Sequence, residues 1–308
     1  FSMPAISGLA LLGAIYMSAI YGGCFSAILI NTPGTPSSIG TCFDGYPMAR
    51  QGRGQQAIIV ATVASVLGGL FGVAALAFLA PPLANVALKF GPPEYFAIIL
   101  MGFTFIVYLA QGSMIKAALM ALAGILLSLI GLDPITSEQR FTFGNIHLFE
   151  GLSVVPLAIG LFGLAEVFVN LEKTAPTRVL QVNIRNMFPN KGQWLRARWA
   201  IARGTVIGFF IGILPGGGPV LSAFMAYGVE KRVSKHPDKF GHGAIEGVAA
   251  PESANNAAAS TSFIPLMTLG IPPNVVLAVL FGAFMIHGVT PGPLLMTQHP
   301  EIFWCVIA

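Results

Sequence analysis

Apolar residues in this chain come in long runs, broken by short stretches rich in proline, glycine and polar side chains. Several runs exceed the roughly 18 residues that cross a bilayer as a helix, and the clearest, Ala57 to Ala80, carries no charge. The pattern predicts a helix over Pro4 to Tyr21, a break at Gly22 and Gly23, and a short apolar run from Phe25 to Ile30. Asn31 to Ser38 cannot be regular helix, because Pro33 and Pro36 remove donors and push their predecessors out of the helical region. Asp44 to Arg53 reads as a turn and a short amphipathic piece on the membrane surface. Further helices are predicted over Gln56 to Ala80, Pro93 to Gln111, Ser113 to Leu132 and Gly151 to Asn170, with Lys116 a snorkelling lysine in the first turn of its helix. Trp199 to Leu214 runs into ProGlyGlyGlyPro at Pro215 to Pro219 and on to Val220 to Val229. Asn274 to Val289 is the last complete apolar segment, followed by a loop over Thr290 to Pro300.

One run is unlike the rest. Glu246 to Pro273 places Glu252, Asn255, Asn256, Ser260 and Thr268 among alanines and other apolar residues. Pro251 suits the first position of a helix, with Glu252 at the positive end of its dipole. Pro265 and the Gly270 to Pro273 cluster are then expected to end that helix after about four turns. Glu252, Asn255 and Asn256 fall on one face. Ala254, Ala257 and Ala258, on the other side, are small enough for close helix packing. In a membrane chain, a discontinuous helix with polar side chains lines a substrate or ion site.

Of the 308 residues 55% are hydrophobic and 9% charged, against roughly 25% charged in a soluble domain. No soluble core hides so much apolar surface, so the chain is expected to be all-α and polytopic in a lipid bilayer. The net charge of +4 does not signal nucleic acid, because the basic residues lie in loops and report topology. Leu171 to Arg198 holds six basic residues against Glu172 and is expected in the cytoplasm. Asp133 to Glu150, Lys89 and Thr290 to Pro300 then fall outside, and Arg50 and Arg53 inside. The basic loop Glu230 to Lys239 is also inside, so the segment around ProGlyGlyGlyPro enters and leaves by one face as a re-entrant hairpin. Residues 1–170, 171–198 and 199–308 are expected to be a first repeat, a basic connector and a second repeat. The apolar run that continues to Ala308, and the helix that begins almost at Phe1, suggest a longer parent protein.

The division rests on a match between Ser26 to Ser38 and Ser262 to Asn274. One register pairs Ser26 with Ser262, Ile28 with Ile264, Thr32 with Thr268, Gly34 with Gly270 and Pro36 with Pro272. The charge count gives the two copies opposite orientations, as in inverted repeats whose broken helices meet near the midplane.

Other chemistries fit poorly. No Lys-Ser/Thr follows the glycines of ProGlyGlyGlyPro, so it is not a phosphate loop. His236, Asp238 and His242 sit in a basic hydrophilic loop and read as solvated rather than metal-binding. Cys24, Cys42 and Cys305 are isolated, which suggests neither disulfides nor zinc. Ser253 beside Glu252, with a distant His287, is too loose for a nucleophile and base, so no enzyme and no catalytic residue is expected. What remains is a set of amide and hydroxyl groups, helix N-termini and exposed carbonyls, suited to an anion together with a small cation. The expected substrate site is Asn31, Thr32, Pro33 and Gly34 with Gly216, Gly217, Gly218, Asn255, Asn256, Thr268 and Gly270. Glu252, Asn255 and Asn256 are expected to couple an ion, Na⁺ or H⁺, with no other metal and no cofactor. A channel-like pore for small anions and, more remotely, a membrane-embedded hydrolase are the competing readings.

The stretches ALLGAIYMSAIYGGCFSAILINTPGTPSS…FDGYPMARQG, GILPGGGPVLSAFMAYGVEKR, FGHGAIEGVAAPESANNAAASTSFIPLMTLGIPP and FGAFMIHGVTPGPLL resemble the TctA family, the large membrane subunit of tripartite tricarboxylate transporters. The resemblance implies a multi-pass carrier for organic carboxylates in the bacterial inner membrane, driven by a cation gradient. Its implied partners are a small TctB-like membrane subunit and a periplasmic TctC-like solute-binding protein. Thr35, Pro36 and Pro273 depart from the family pattern, so the resemblance leaves the particular carboxylate open.

Overall fold

A computed structural model of the chain describes residues 4–109, 113–132, 138–149, 151–152, 168 and 188–308. It is all-α apart from one two-residue antiparallel pair, Gly131–Leu132 with Gln139–Arg140, among the described residues. Two compact units are formed, Phe1–Phe90 with Ala175–Ala308, and Gly91–Thr174.

The first unit holds α1 (Ala5–Ile30), a 3-10 turn (Pro36–Ser38), α2 (Ile39–Arg50) and α3 (Gly54–Ala87). The second holds α4 (Pro92–Leu109), α5 (Met114–Ser128), the strand pair and a 3-10 turn at Ile146–Leu148. Ser113 caps α5, its hydroxyl accepting from the Lys116 N–H. The helix predicted over Gly151 to Asn170 and most of the basic connector lie outside the described residues. The first unit resumes with α6 (Lys191–Ile213) and α7 (Gly218–Val233), then α8 (Glu246–Thr261) and α9 (Phe263–Leu269). It closes with α10 (Val275–Ile286), α11 (Leu295–Gln298) and α12 (Pro300–Ile307).

Helix α8 is the axis of the first unit, with every residue from Gly247 to Thr261 buried. It packs on α6, α3 and α7. A helix can be enclosed this completely only if its neighbours come very near, and both long neighbours present glycine every fourth residue. Gly204, Gly208 and Gly212 of α6 lie against the carbonyls of Ala250, Ala254 and Ala258. Gly68 and Gly72 of α3 lie against those of Ser253 and Ala257. A methyl group on Gly68 or Gly208 would stand 2.2 Å from a carbonyl oxygen, so only glycine permits the approach. Hydroxyls bridge the same seams: Ser222 donates to the Ala254 carbonyl at 3.2 Å, and Ser262 to that of Gly212 at 3.0 Å. The small face expected at Ala254, Ala257 and Ala258 is therefore a packing face, but the whole helix is enclosed.

Outside this seam α1 and α3 present apolar side chains. Val66, Leu67, Leu70, Phe71 and Phe78 project from α3, and Leu11 and Ile15 from α1. Among the described residues, α1 and α3 are long and apolar enough to cross a membrane.

Several local expectations are corrected. Gly22 and Gly23 do not break α1, which runs on to Ile30. Asp44 to Arg53 is not a surface turn, because α2 carries it to Arg50 and buries Asp44 completely. Helix α3 continues through Pro81 and Pro82 to Ala87. Pro251 is not an N-terminal residue, since α8 starts five residues earlier, at Glu246. Pro265 does not stop the chain either: Ser262 stays right-handed helical, Pro265 falls in the first turn of α9, and Gly270 ends the run in the left-handed region at φ 70°. A proline in a first turn forfeits only a donor that has no helical acceptor, which is why Pro265 is tolerated. The register pairing Gly34 with Gly270 is not matched by the helix ends. In the first copy Asn31, at φ 55°, is the left-handed residue that closes the helix.

Candidate functional site

The polar cluster is built on α8. Glu252 is 0% exposed. Its Oε1 accepts from the Thr41 hydroxyl of α2, and its Oε2 from the Ser65 hydroxyl of α3 at 3.1 Å. No lysine, arginine or histidine forms an ion pair with the carboxyl group among the described residues. One turn on, Asn256 Nδ2 donates to the Glu252 carbonyl at 3.0 Å and to Asn255 Oδ1 at 2.7 Å. Asn255 Nδ2 is buried and finds no acceptor with hydrogen-bond geometry, three residues from Glu252 on the same helix. A buried orphan donor beside a carboxyl without a counter-charge is an unfinished site.

Thr41 reaches this cluster because the AsnThrProGlyThrProSerSer stretch is held rigidly. Asn31 closes α1 with its N–H on the Ser26 carbonyl, and the Gly34 N–H donates to the Gly23 carbonyl at 3.3 Å. Gly34 sits directly on the Gly23 backbone, where no side chain fits. Thr35 and Ser38 form a reciprocal cap, with the Thr35 N–H on Ser38 Oγ at 3.3 Å and the Ser38 hydroxyl on the Thr35 carbonyl at 2.8 Å. That cap aims α2 at α8.

A second convergence joins two chain breaks. The Gly216 N–H, at the turn between α6 and α7, donates to the Pro273 carbonyl at 2.9 Å. Gly218 packs on the Asn274 side chain, which in turn caps α10 through the Leu277 N–H at 3.0 Å. Asn274 also donates to the Tyr16 hydroxyl at 3.4 Å.

The structure thus brings Glu252, Asn255 and Asn256 together, and separately Gly216 and Gly218 with the chain just after Gly270. It does not gather the rest. Asn31, Pro33 and Gly34 are exposed, and the Thr32 hydroxyl turns back to the Ile30 carbonyl at 3.4 Å. Thr268 is buried and bonds back to the Ile264 carbonyl at 2.7 Å. Gly217 faces the Ile211 carbonyl rather than the tip. Thr41 and Ser65 are members that sequence reasoning missed. Ser65 was the detectable one, as one of the few hydroxyls inside the uncharged run of α3.

Around the cluster stand two structural devices. Asp44 Oδ1 accepts from the N–H groups of Gly241, Gly243 and Ala244 at 2.9, 2.8 and 2.7 Å, and Oδ2 accepts from the Tyr227 hydroxyl at 2.9 Å. Arg203 of α6 grips Glu230 of α7 through two of its nitrogens, Nε to Oε2 at 2.8 Å and Nη2 to Oε1 at 2.7 Å. His236 and His242 are exposed but line a cleft with Arg53 and Arg196.

Residues 1–308 match the model of the family described as tripartite tricarboxylate transporter TctA family. The chain is similar to an uncharacterized 52.8 kDa protein in the TAR-I ttuC' 3'region of Agrobacterium vitis, with 49% identity over 308 residues, all of this chain and 61% of the relative. It is also similar to an uncharacterized protein in the TAR-II ttuC' 3'region of the same organism, 62% identical over 101 residues, 33% of this chain and 42% of that one. The chain therefore spans less than two thirds of the length of either relative. No solved structure matches it.

Proposed function

This chain belongs to the tripartite tricarboxylate transporter TctA family, and from that premise we propose that it moves organic di- or tricarboxylates across the bacterial inner membrane as a multi-pass secondary carrier. In this reading the substrate is delivered by a periplasmic solute-binding protein, and a small membrane subunit completes the assembly. Uptake is coupled to Na⁺ or H⁺. The two chain breaks at Asn31 to Gly34 and Thr268 to Pro273 are the broken helices of inverted repeats, and the α6–α7 hairpin is re-entrant.

The observation that carries the reading is Glu252. A carboxyl group enclosed on all sides without a positive side chain is stable only when a proton or a bound cation neutralises it, and that occupancy can be exchanged during a transport cycle. The Thr41 and Ser65 hydroxyls and the Asn255 amide offer neutral oxygens to a hard cation, while the Asn255 N–H group can turn to a substrate carboxylate. The test is uptake of labelled carboxylates into proteoliposomes holding the full-length chain and its partners, with each ion gradient collapsed in turn. Concentrative uptake that collapses with one gradient, with the solute recovered unchanged, is expected. Downhill flux independent of any gradient indicates a channel, and solute recovered as a hydrolysis product indicates an enzyme. In Glu252→Gln the cation dependence is expected to disappear while the protein still folds; a variant with wild-type cation dependence removes Glu252 from coupling.

A further inference from the structure

A cleft of about 290 Å³ lies far from α8's polar cluster in chemistry, between the start of α3, the first turns of α6 and the loop before α8. Its charged lining is Arg53, Arg196, Lys239 and Glu246, and His236 and His242 line it too. Glu246 is already engaged by Arg196, Nε to Oε1, at 2.7 Å. Among the described residues Arg53 donates to neutral oxygens: Gln51 Oε1 at 3.0 Å, and the Gly243 carbonyl and Gln56 Oε1 at 3.4 Å. Burial, with the nearby Arg196 adding to it and Glu246 opposing, holds this guanidinium below its usual pKa.

The walls are fixed in advance. Asp44 holds three backbone donors of the loop, and Gly241 and Gly243 take left-handed φ of 87° and 97°. The volume is near the lower end for small-ligand sites, about 300 Å³. Its level relative to the membrane follows from Trp199, exposed one turn after Arg196 and capped by the Arg198 guanidinium at 5.3 Å. Tryptophan of this kind sits at headgroup depth, and the basic loops mark the cytoplasmic side.

We propose that this cleft binds the phosphate of an anionic phospholipid headgroup from the cytoplasmic leaflet, between Arg53, Arg196 and Lys239. The shared chemistry with a soluble phosphate is the tetrahedral oxyanion, which guanidinium groups grip with paired N–H donors. A basic pocket between helices at the cytoplasmic surface favours the lipid.

The probe is phosphatidylglycerol, with phosphatidylcholine and inorganic phosphate as separate arms, titrated into the full-length protein in an uncharged detergent and read by native mass spectrometry and melting temperature. One phosphatidylglycerol is expected to be retained in preference to phosphatidylcholine. Arg53→Gln and Lys239→Gln should each weaken it about fivefold, as about 1 kcal/mol per basic side chain implies. The Lys239 side chain makes no hydrogen bond or ion pair among the described residues, and its backbone bonds to His236 and His242 survive substitution, so its replacement leaves the fold intact. Lys231→Gln, also basic and exposed but outside the cleft, should change nothing. Equal loss in Lys231→Gln, no preference over phosphatidylcholine, or binding unaffected in Arg53→Gln and Lys239→Gln overturns the site. Saturation by inorganic phosphate at matched ionic strength, with no gain from the lipid, overturns the lipid assignment.

Discussion

The Ser65 hydroxyl donates to the Glu252 carboxyl group at 3.1 Å across 187 residues of sequence, tying α3 to the centre of α8. If Glu252 holds the coupling ion, Ser65 is part of its shell. Ser65→Ala is then expected to raise the ion concentration for half-maximal uptake about tenfold, equivalent to about 1.4 kcal/mol for one hydrogen bond to a charged group. Thr41→Val should act in the same direction. Unchanged ion dependence in both variants would assign the two hydroxyls a purely structural duty.

The glycine seam makes a sharper prediction, because adjacent glycines differ. Gly68→Ala puts a methyl group 2.2 Å from the Ser253 carbonyl oxygen, whereas Gly69→Ala meets nothing within 4 Å. The first should destabilise the protein by about 1 to 3 kcal/mol through overpacking. The second should be neutral or gain up to about 1 kcal/mol from helix propensity. Thermal unfolding in detergent distinguishes them. Equal melting temperatures would mean that α3 and α8 are not in this contact in the membrane.

The sequence made the all-α class legible, because runs such as Ala57 to Ala80 are long, apolar and uncharged, and that run folds within α3. It also exposed Glu252, Asn255 and Asn256 as polar residues among alanines. The partners of Glu252 were hidden because their contacts are long-range: a threonine in α2 and a serine in α3 are ordinary residues until the fold brings them in. The proline rules failed at Pro251, Pro81 and Pro82, where packing and hydrophobic length sustain helices that local propensity would end. Asp44 was misplaced for a different reason. A charge next to glycine looks like a surface turn, and nothing local shows that three backbone donors some 200 residues away will enclose it.

That enclosure is the basis of the third prediction. Asp44→Ala leaves the N–H groups of Gly241, Gly243 and Ala244 without their acceptor and should cost about 3 to 5 kcal/mol, in the range for breaking a buried charged network. Tyr227→Phe removes a single hydrogen bond to the same carboxylate and should cost about 1 kcal/mol. Limited proteolysis in the Ser234 to Gly243 loop should rise steeply in the first variant and little in the second. A loop equally resistant in Asp44→Ala would show that this clamp does not hold it.

The hairpin tip invites a distinction between its glycines. A side chain at Gly217 would stand 2.1 Å from the Ile211 carbonyl oxygen, inside the turn itself. Gly217→Val should therefore lower the yield of folded protein, and any loss of uptake in it reports folding rather than transport. Gly218 is different. It has φ 69°, and an added methyl group would stand 3.3 Å from Cβ of Asn274, at the junction with the chain break after Gly270. Gly218→Ala should cost about 1 to 2 kcal/mol of left-handed strain, which a folded hairpin sustains. If the two breaks move against each other during transport, that strain falls unequally on the states of the cycle. Folded protein at near wild-type yield with reduced uptake is then the expected result, measured by size-exclusion chromatography beside proteoliposome uptake. Wild-type uptake in Gly218→Ala would mean that the junction stays fixed, and that Gly216, with its bond to the Pro273 carbonyl, only ties the hairpin down.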